Sequence, residues 1–403
     1  MRVLYVCADA GIPLDGAKGA AVHVRQTLGA LRRRGVEVAV LAARPGAPGV
    51  APGRVLPVGT LTHQRPERSK GGLAAETEAL ASAWNLGAQV PLGSDEVDVI
   101  YERYSLWSLA GAMLAERFAA PLVLEVNAPL VEEQRRHRGV TLVGIAMEIE
   151  RFLARRADAV VCVSSSLRER VARQRGSHEG VHLFPNAVDI DQFREAANGP
   201  DAGGRKRGDT VIIFTGSFKP WHGVQDLLEA FALLLEHRER SRLILVGDGP
   251  ERERATRRVA ELHIGSKVTF TGAARHEEVL GLLAAADIAV APYPPLDDFY
   301  FSPLKLGEYL AAGLPVVATA CGDLDPLLRD GESSLRVPPG DVPAMAGALR
   351  RLAEDPDLRR RLGRAGRRVA EEHLSLDAAA GRLVRLLEEV RKKRLTAREG
   401  AAS

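Results

Sequence analysis

Residues Phe301–Thr319, FSPLKLGEYLAAGLPVVAT, read as a helix that opens on a polar site and closes onto a buried strand. Ser302 stands where an N-cap belongs and Pro303 at the first helical position, where a missing N–H costs nothing. The amides that follow carry roughly half a positive charge, so Ser302, Pro303, Leu304 and Lys305 frame a place for an anion such as a phosphate. Lys305 and Glu308 are three apart and share one helical face, while Leu306 and Leu310 mark an apolar one. Gly313 and Pro315 stop the helix, and VVAT is a β-branched run suited to a parallel sheet. A capped helix with one surface ion pair would give the same pattern. The preceding loop, APYPPLDDFYF, tips the reading toward function, because loops of this kind after a strand are where α/β sheets hold ligands.

Outward from this stretch the alternation of strand and helix continues in both directions. The C-terminal half runs TVIIFTG, a helix VQDLLEAFALLLEH, RLILVGDG, KVTFTG, a helix HEEVLGLLAAA and DIAVAPY, ending in a helical tail over 342–394. The N-terminal half opens with a strand over Arg2–Cys7 and a glycine-rich loop, ADAGIPLDGAKGA. The helix that follows buries Val22, Leu28 and Leu31 and leads to the strand VEVAVLAA. VDVIYERY, a helix over 106–118, PLVLEVN, a helical region over 131–157, AVVCVS, a helix from Ser166 and a strand VHLFPNAVD complete it. This period predicts an α/β protein of two Rossmann-like, doubly wound domains facing a central cleft. The polar stretch NGPDAGGRKRGD places the boundary near residue 195, giving domains 1–195 and 196–373. Residues 45–96 suggest only a helix over 73–86 and no chemistry.

With 403 residues the chain is long enough for two cores. Its 55 basic against 52 acidic residues argue against a dedicated nucleic-acid binder. The arginine runs read as solvated faces, with weak peripheral contact to anionic lipid as the minority reading. Cys7, Cys162 and Cys321 are far apart and without metal-ligand spacing, which suits reduced thiols in a cytoplasmic protein. No stretch approaches the ~18 unbroken apolar residues of a membrane span.

Several loops at strand ends carry candidate chemistry. In FTGSFKPWHG, Gly216, Ser217, Lys219 and His222 lie between a strand and a helix, and Lys219 and His222 together could neutralise a diphosphate. Its alternative is a turn with a packed Trp221 and a solvated Lys219. Gly247 follows a strand as a close-approach position, and Arg275 and His276 could border a base. Glu308 can accept two hydrogen bonds from a vicinal diol such as a ribose. Asn127 and Glu125 fall at the C-terminal end of their strand, where such sheets collect functional groups. His23 and His137 read as background, since a lone helical histidine is more often structural.

The segments PNAVDIDQF, LILVGDGPERE, KVTFTGAARHEEVLGLLAAADIAVAPY and SPLKLGEYLAAGLPVVAT, in this order and at this spacing, resemble the family 4 retaining glycosyltransferases of the GT-B fold. The resemblance implies transfer of a sugar from a nucleotide diphosphate sugar to a hydroxyl acceptor, with retention and without a metal or other cofactor. UDP-sugars are favoured as donors and GDP-sugars come next, and the acceptor is a glycan, a lipid-linked or a small-molecule hydroxyl. The N-terminal domain would bind the acceptor and the C-terminal domain the donor, with Glu308 on the ribose and the amides of Ser302–Lys305 on sugar and phosphates. The loop of Gly16, Lys18 and Gly19 matches the loop that closes on the diphosphate, and the last helix, 374–394, would return to the N-terminal domain. Three positions depart from the family pattern: Tyr300 replaces the first acid of its paired-acid motif, Ser217 and His222 replace an Arg and a Lys of the diphosphate clamp, and Asn127 replaces a histidine. Lys219 and Lys305 would then supply the charge, and Asn127 a hydrogen bond to a sugar hydroxyl. An epimerase of nucleotide sugars and a non-catalytic sugar-nucleotide binder are the alternatives, and oligomeric state is left open.

Overall fold

The structure, a computed structural model, describes all residues except 17–18, 57–71, 89, 138, 197–207, 320–321 and 403. The chain divides into two compact units. The first holds Met1–Gly16, Ala20–Pro185 and Asp377–Ser403, and the second holds Asn186–Leu376 together with Gly19.

The first unit is built on seven strands, β1 (Arg2–Cys7), β2 (Glu37–Ala42), β3 (Arg54–Val55), β4 (Val99–Arg103), β5 (Leu122–Val126), β6 (Ala159–Cys162) and β7 (Val181–Leu183). Their order across the sheet is β3-β2-β1-β4-β5-β6-β7, and every pairing is parallel. Strands such as RVLYVC and LVLEV are apolar almost throughout because helices cover both faces of a parallel sheet. The long helix Leu376–Ala402 belongs here: Leu383, Leu386, Leu387 and Val390 pack into the core around Tyr5, Val38 and Val99.

The second unit repeats the plan with six strands, β8 (Thr210–Thr215), β9 (Ser241–Val246), β10 (Val268–Gly272), β11 (Ile288–Ala291), β12 (Val316–Ala318) and β13 (Leu335–Arg336). The order is β10-β9-β8-β11-β12-β13, again parallel throughout. Alternate residues feed opposite cores. Ile212, Phe214 and Val290 join the helices Val224–His237 and Val342–Glu354, whereas Val211, Ile213 and Ala289 join the helix Leu304–Ala311. In each sheet the order reverses direction between two central strands, β1 and β4 in one, β8 and β11 in the other. Outside the carboxyl ends of such strands the connecting loops part and leave a crevice.

Four expectations need correction. The division between units falls at 185/186, ahead of residue 195, because Asn186 and Val188 are already tied into the second unit. The Asn186 amide N–H donates to Ser302 Oγ at 3.0 Å, and Val188 bonds Leu374 and Leu376 through backbone at 2.9 Å. The glycine-rich stretch read as the linker lies, for its residues 198–207, outside the described residues. The helical region over 131–157 is two helices, Leu130–His137 and Val143–Arg156, and the helix expected from residue 106 begins at Ala110. Finally, β7 is three residues long, since Pro185 ends its pairing.

Candidate functional site

The loops at the β8 and β11 ends bring together most residues singled out in the second unit. Gly216 follows β8 with φ +137°, a conformation open to glycine, and a Cβ there would lie 2.9 Å from Lys305 Nζ. The bare backbone therefore lets the lysine in. Lys305 is 8 % exposed, and its ammonium sits 4.1 Å from the Phe214 ring and 5.4 Å from that of Tyr293, faces that stabilise a cation. The helix that carries it is pinned to β8 by Tyr309, whose hydroxyl accepts from the Thr215 N–H at 2.7 Å. Tyr293 itself stacks edge-on against Phe299, with Phe301 and His222 adjacent, so the aromatic loop forms a wall beside Lys305. Tyr300 packs its ring edge-on against Phe301 and remains half-buried.

Ser302 is not the N-cap. The helix starts at Leu304 with Pro303 as its flanking residue, and no side chain caps it. The Ser302 hydroxyl is occupied by the Asn186 N–H, and its carbonyl accepts from Asn186 Nδ2 at 2.7 Å. Asn186 uses both groups to hold the segment after β7 against the helix start. The first helical amides are consequently left without a capping side chain, which keeps them available to an anion.

His222 also departs from expectation. Its Nδ1 bonds the Ser217 carbonyl, which can only accept, so Nδ1 carries the proton. Burial, with Lys305 and then Lys219 adding repulsion against the Ser217 bond, lowers its pKa to about 3. The ring is uncharged at neutral pH and offers an Nε2 lone pair; it cannot serve as a cation in a diphosphate clamp. Positive charge here comes from Lys305 and from Lys219, a half-buried residue whose ammonium lies 5.5 Å from the Trp221 ring.

Glu308 lies one helical turn beyond Lys305 with 16 % of its side chain exposed. Burial pushes its pKa up to about 7, with Lys305 opposing. Its neighbour is His276, whose Nδ1 is 3.9 Å from Glu308 Oε1 and whose Nε2 meets Gln192 Oε1 at 3.0 Å. Because an amide oxygen only accepts, the Nε2 carries the hydrogen and Nδ1 faces the carboxyl group. Arg275, by contrast, is 76 % exposed and turns its guanidinium to Glu278 at 3.2 Å, away from this cluster. A residue at the helix start therefore contributes through His276 and not through Arg275. The glycine at 247 is a close-approach position, as expected, and what approaches is backbone: a Cβ on it would lie 2.0 Å from the Gly216 carbonyl oxygen, so its bareness lets two strand ends pack.

In the first unit, Gly16 closes a turn onto Pro13 at 2.9 Å, and Arg25 Nη1 donates to the carbonyls of Leu14 and Gly16 at 2.6 and 2.8 Å, fixing the loop. Gly19 begins the helix Gly19–Arg33, and Lys18 lies outside the described residues. Asn127 stands just past β5, close to Glu125. Sequence reasoning set aside the residue that stands out here. His23 Nε2 meets Glu125 Oε1 at 2.5 Å, and Arg103 Nη1 lies 3.7 Å from the same oxygen. The available signal was positional: a side chain near the start of the helix after the β1 loop is delivered to the carboxyl edge of the sheet.

Two family profiles match the chain. The one described as Glycosyltransferase Family 4 matches residues 17–192, and that described as Glycosyl transferases group 1 matches 209–355. A GDP-mannose-dependent α-(1-6)-phosphatidylinositol monomannoside mannosyltransferase of Mycolicibacterium smegmatis is 30 % identical over 302 residues, covering 72 % of this chain and 78 % of its own. An MMP α-(1→4)-mannosyltransferase of Mycolicibacterium hassiacum is 28 % identical over 408 residues, 92 % of this chain and 94 % of the relative. A glycogen synthase of Mycobacterium tuberculosis is 26 % identical, and the match spans 68 % of this chain but only 66 % of that enzyme's length. In fold, sucrose-phosphate synthase of Thermosynechococcus elongatus superposes with a TM-score of 0.72 at 23 % identity, over 97 % of this chain and 99 % of that one. Anabaena HepE, solved with UDP and glucose, gives 0.71 at 18 % identity, over 96 % and 99 %. No helix among the described residues is long and apolar enough to cross a membrane.

Proposed function

Because the chain belongs to glycosyltransferase family 4, with the GT-B arrangement of two Rossmann-like domains, we propose that it moves a sugar from a nucleotide diphosphate sugar to an acceptor hydroxyl, with retention and without a metal. The observation that carries this reading is a buried lysine, Lys305, set against the bare backbone of Gly216 one helical turn from the half-buried carboxyl group of Glu308. Three chemical tasks are laid side by side there: a fixed positive charge and uncapped helix amides for the diphosphate, and an acceptor of two hydrogen bonds for a ribose diol. UDP is the favoured nucleotide and GDP the next.

In the reaction as proposed, negative charge builds on the diphosphate as the sugar departs. Lys305, Lys219 and the amides at Leu304 and Lys305 hold that charge more tightly in the transition state than in the bound donor. The uncharged Nε2 of His222 accepts a hydrogen bond from a donor hydroxyl, and Tyr300 borders the sugar. The departing phosphate takes the proton of the acceptor hydroxyl on the same face, which preserves the anomeric configuration.

The test is incubation with UDP- and GDP-sugars, following nucleotide release and the anomeric proton of the product by NMR, with and without EDTA. Release with a retained anomer, unchanged by EDTA, is expected. Lys219→Ala should lower turnover about 100-fold, as loss of one donor to a developing oxyanion does, without a change in Tm. An inverted product, or a nucleotide sugar epimerised without release, would replace this reading.

A further inference from the structure

Single apolar side chains on a protein surface are ordinary, but a group of them marks a place where something docks. Among the described residues seven large apolar side chains stand exposed, and five of these lie on two helices of the first unit: Leu73 and Trp84 on the helix Leu73–Ala88, and Ile145, Met147 and Phe152 on the helix Val143–Arg156. Trp84 is 54 % exposed and Phe152 51 %. The two helices start side by side, because Glu76 of the first accepts from the amides of Thr141 and Leu142, at 2.7 Å each, where the second begins. The inner face of the first helix is apolar too: Ala83, Leu86 and Gly87 are buried, and a Cβ on Gly87 would lie 3.0 Å from the Cα of Ala110. Its outer face carries Leu73, Ala81, Trp84 and Ala88 at helical spacing, with Glu78 as its exposed charge. A helix apolar on both sides is built to be covered on both.

The charges select what covers it. An anionic lipid surface calls for a basic rim around the apolar residues. The first helix, LAAETEALASAWNLGA, has no basic residue, and on the second Arg151 is paired with Glu148 at 2.6 Å and Arg156 with Glu116 at 3.4 Å. Glu150 turns inward to Tyr104 and Gln174. What remains is one charge of each sign, Glu78 on the first helix and Arg155 on the second, and neither has an opposite charge within ion-pair distance among the described residues. One helix is thus apolar with an acid, its neighbour apolar with a base, and the surface they share is complementary to itself. Two copies related by a twofold axis lay the first helix of each on the second helix of the other, so that Glu78 meets Arg155 twice.

We propose that this face is where two copies of the chain meet, in an isologous dimer with Trp84 and Phe152 as its apolar anchors and Glu78 and Arg155 as its charge pair. Helices of 16 and 14 residues are about 24 and 21 Å long, a footprint at the low end of the ~800 Å² per partner that stable interfaces use, so the dimer forms and dissociates with concentration. The pairing is independent of the transferase reading.

Sedimentation velocity on the full chain tests it from about 1 to about 100 µM, the range in which small interfaces come apart. The expected result is a mass that moves from one chain toward two. Trp84→Glu and Phe152→Glu should each weaken the association about tenfold or more and leave the Tm of the single chain unchanged, since both rings are exposed there. Glu78→Arg and Arg155→Glu probe the symmetry. Neither variant should pair with itself, because like charges then face each other, yet an equimolar mixture of the two should associate within about twofold of the parent. A twofold axis requires that rescue, and an unspecific apolar contact does not give it. A mass of one chain at every concentration, an association untouched by Trp84→Glu, or no rescue in the mixture overturns the proposal. So does binding of the parent to vesicles of phosphatidylglycerol and phosphatidylcholine that Trp84→Glu abolishes, which would assign the face to a lipid surface.

Discussion

Two glutamates, Glu125, buried at the edge of the first sheet, and Glu308, half-buried beside the edge of the second, are treated in opposite ways by their surroundings. Glu125 has a histidine and an arginine within ion-pair distance, and they overcome burial to hold its pKa at about 2. Glu308 has Lys305 one turn away and His276 at 3.9 Å, and burial wins, raising it to about 7. The same strand-and-helix plan thus yields one carboxylate whose partners are built in and one that is left costly to ionise until something arrives. On the function proposed above, that something is the nucleotide.

The largest effect should come from breaking the built-in partnership. Glu125→Ala strands Arg103 and His23 in the interior and is expected to cost about 3–5 kcal/mol in urea unfolding at pH 7. Because the folded pKa is depressed, this contribution is present above the unfolded value of 4.5 and fades as pH falls toward 2, so parent and variant should converge in acid. A constant difference across pH would mean that packing, and not charge, is what the residue supplies.

Glu308→Gln should behave in the reverse sense. A folded pKa raised above 4.5 gives stability that is whole below that value and is lost as pH rises through about 7. The variant, which never ionises, is expected to match the parent at pH 4.5 and to exceed it by about 3 kcal/mol at pH 8. A variant less stable than the parent at pH 8 would show that the carboxylate is already satisfied without a ligand.

A smaller effect sharpens the same contrast from the side of the cation. Gly216→Ala drives a methyl group toward Lys305 Nζ, 2.9 Å away, at a backbone angle that disfavours alanine. Its expected signature is a loss of UDP affinity of about tenfold, roughly 1.4 kcal/mol, with a lesser loss of Tm. Unchanged affinity would remove Lys305 from the diphosphate.

Much of this was legible in the sequence, because it depends on local pattern. The apolar strands, the glycine at the end of β8 and the Lys305–Glu308 spacing announce a doubly wound domain with a charged strand edge. What escaped depends on contacts between distant segments. Ser302 looks like a cap until Asn186, from a different part of the chain, takes its hydroxyl. His222 looks cationic until the Ser217 carbonyl and the neighbouring lysines are in place around it. His23 looks incidental in a helix, since the carboxylate that defines it comes from β5, and no periodicity links the two. Strands β3 and β13, two residues each, are too short to carry a pattern of their own.

Calorimetric titration of UDP, with GDP and ADP alongside, into the parent and Glu308→Gln at pH 6 and pH 8 tests the central claim most directly. If the glutamate binds the ribose as a carboxylate, the advantage of parent over variant grows about tenfold between the two pH values, because the proton held near neutrality is released on binding. Equal affinities of parent and variant at both pH values, or no binding of any of the three nucleotides, would contradict it.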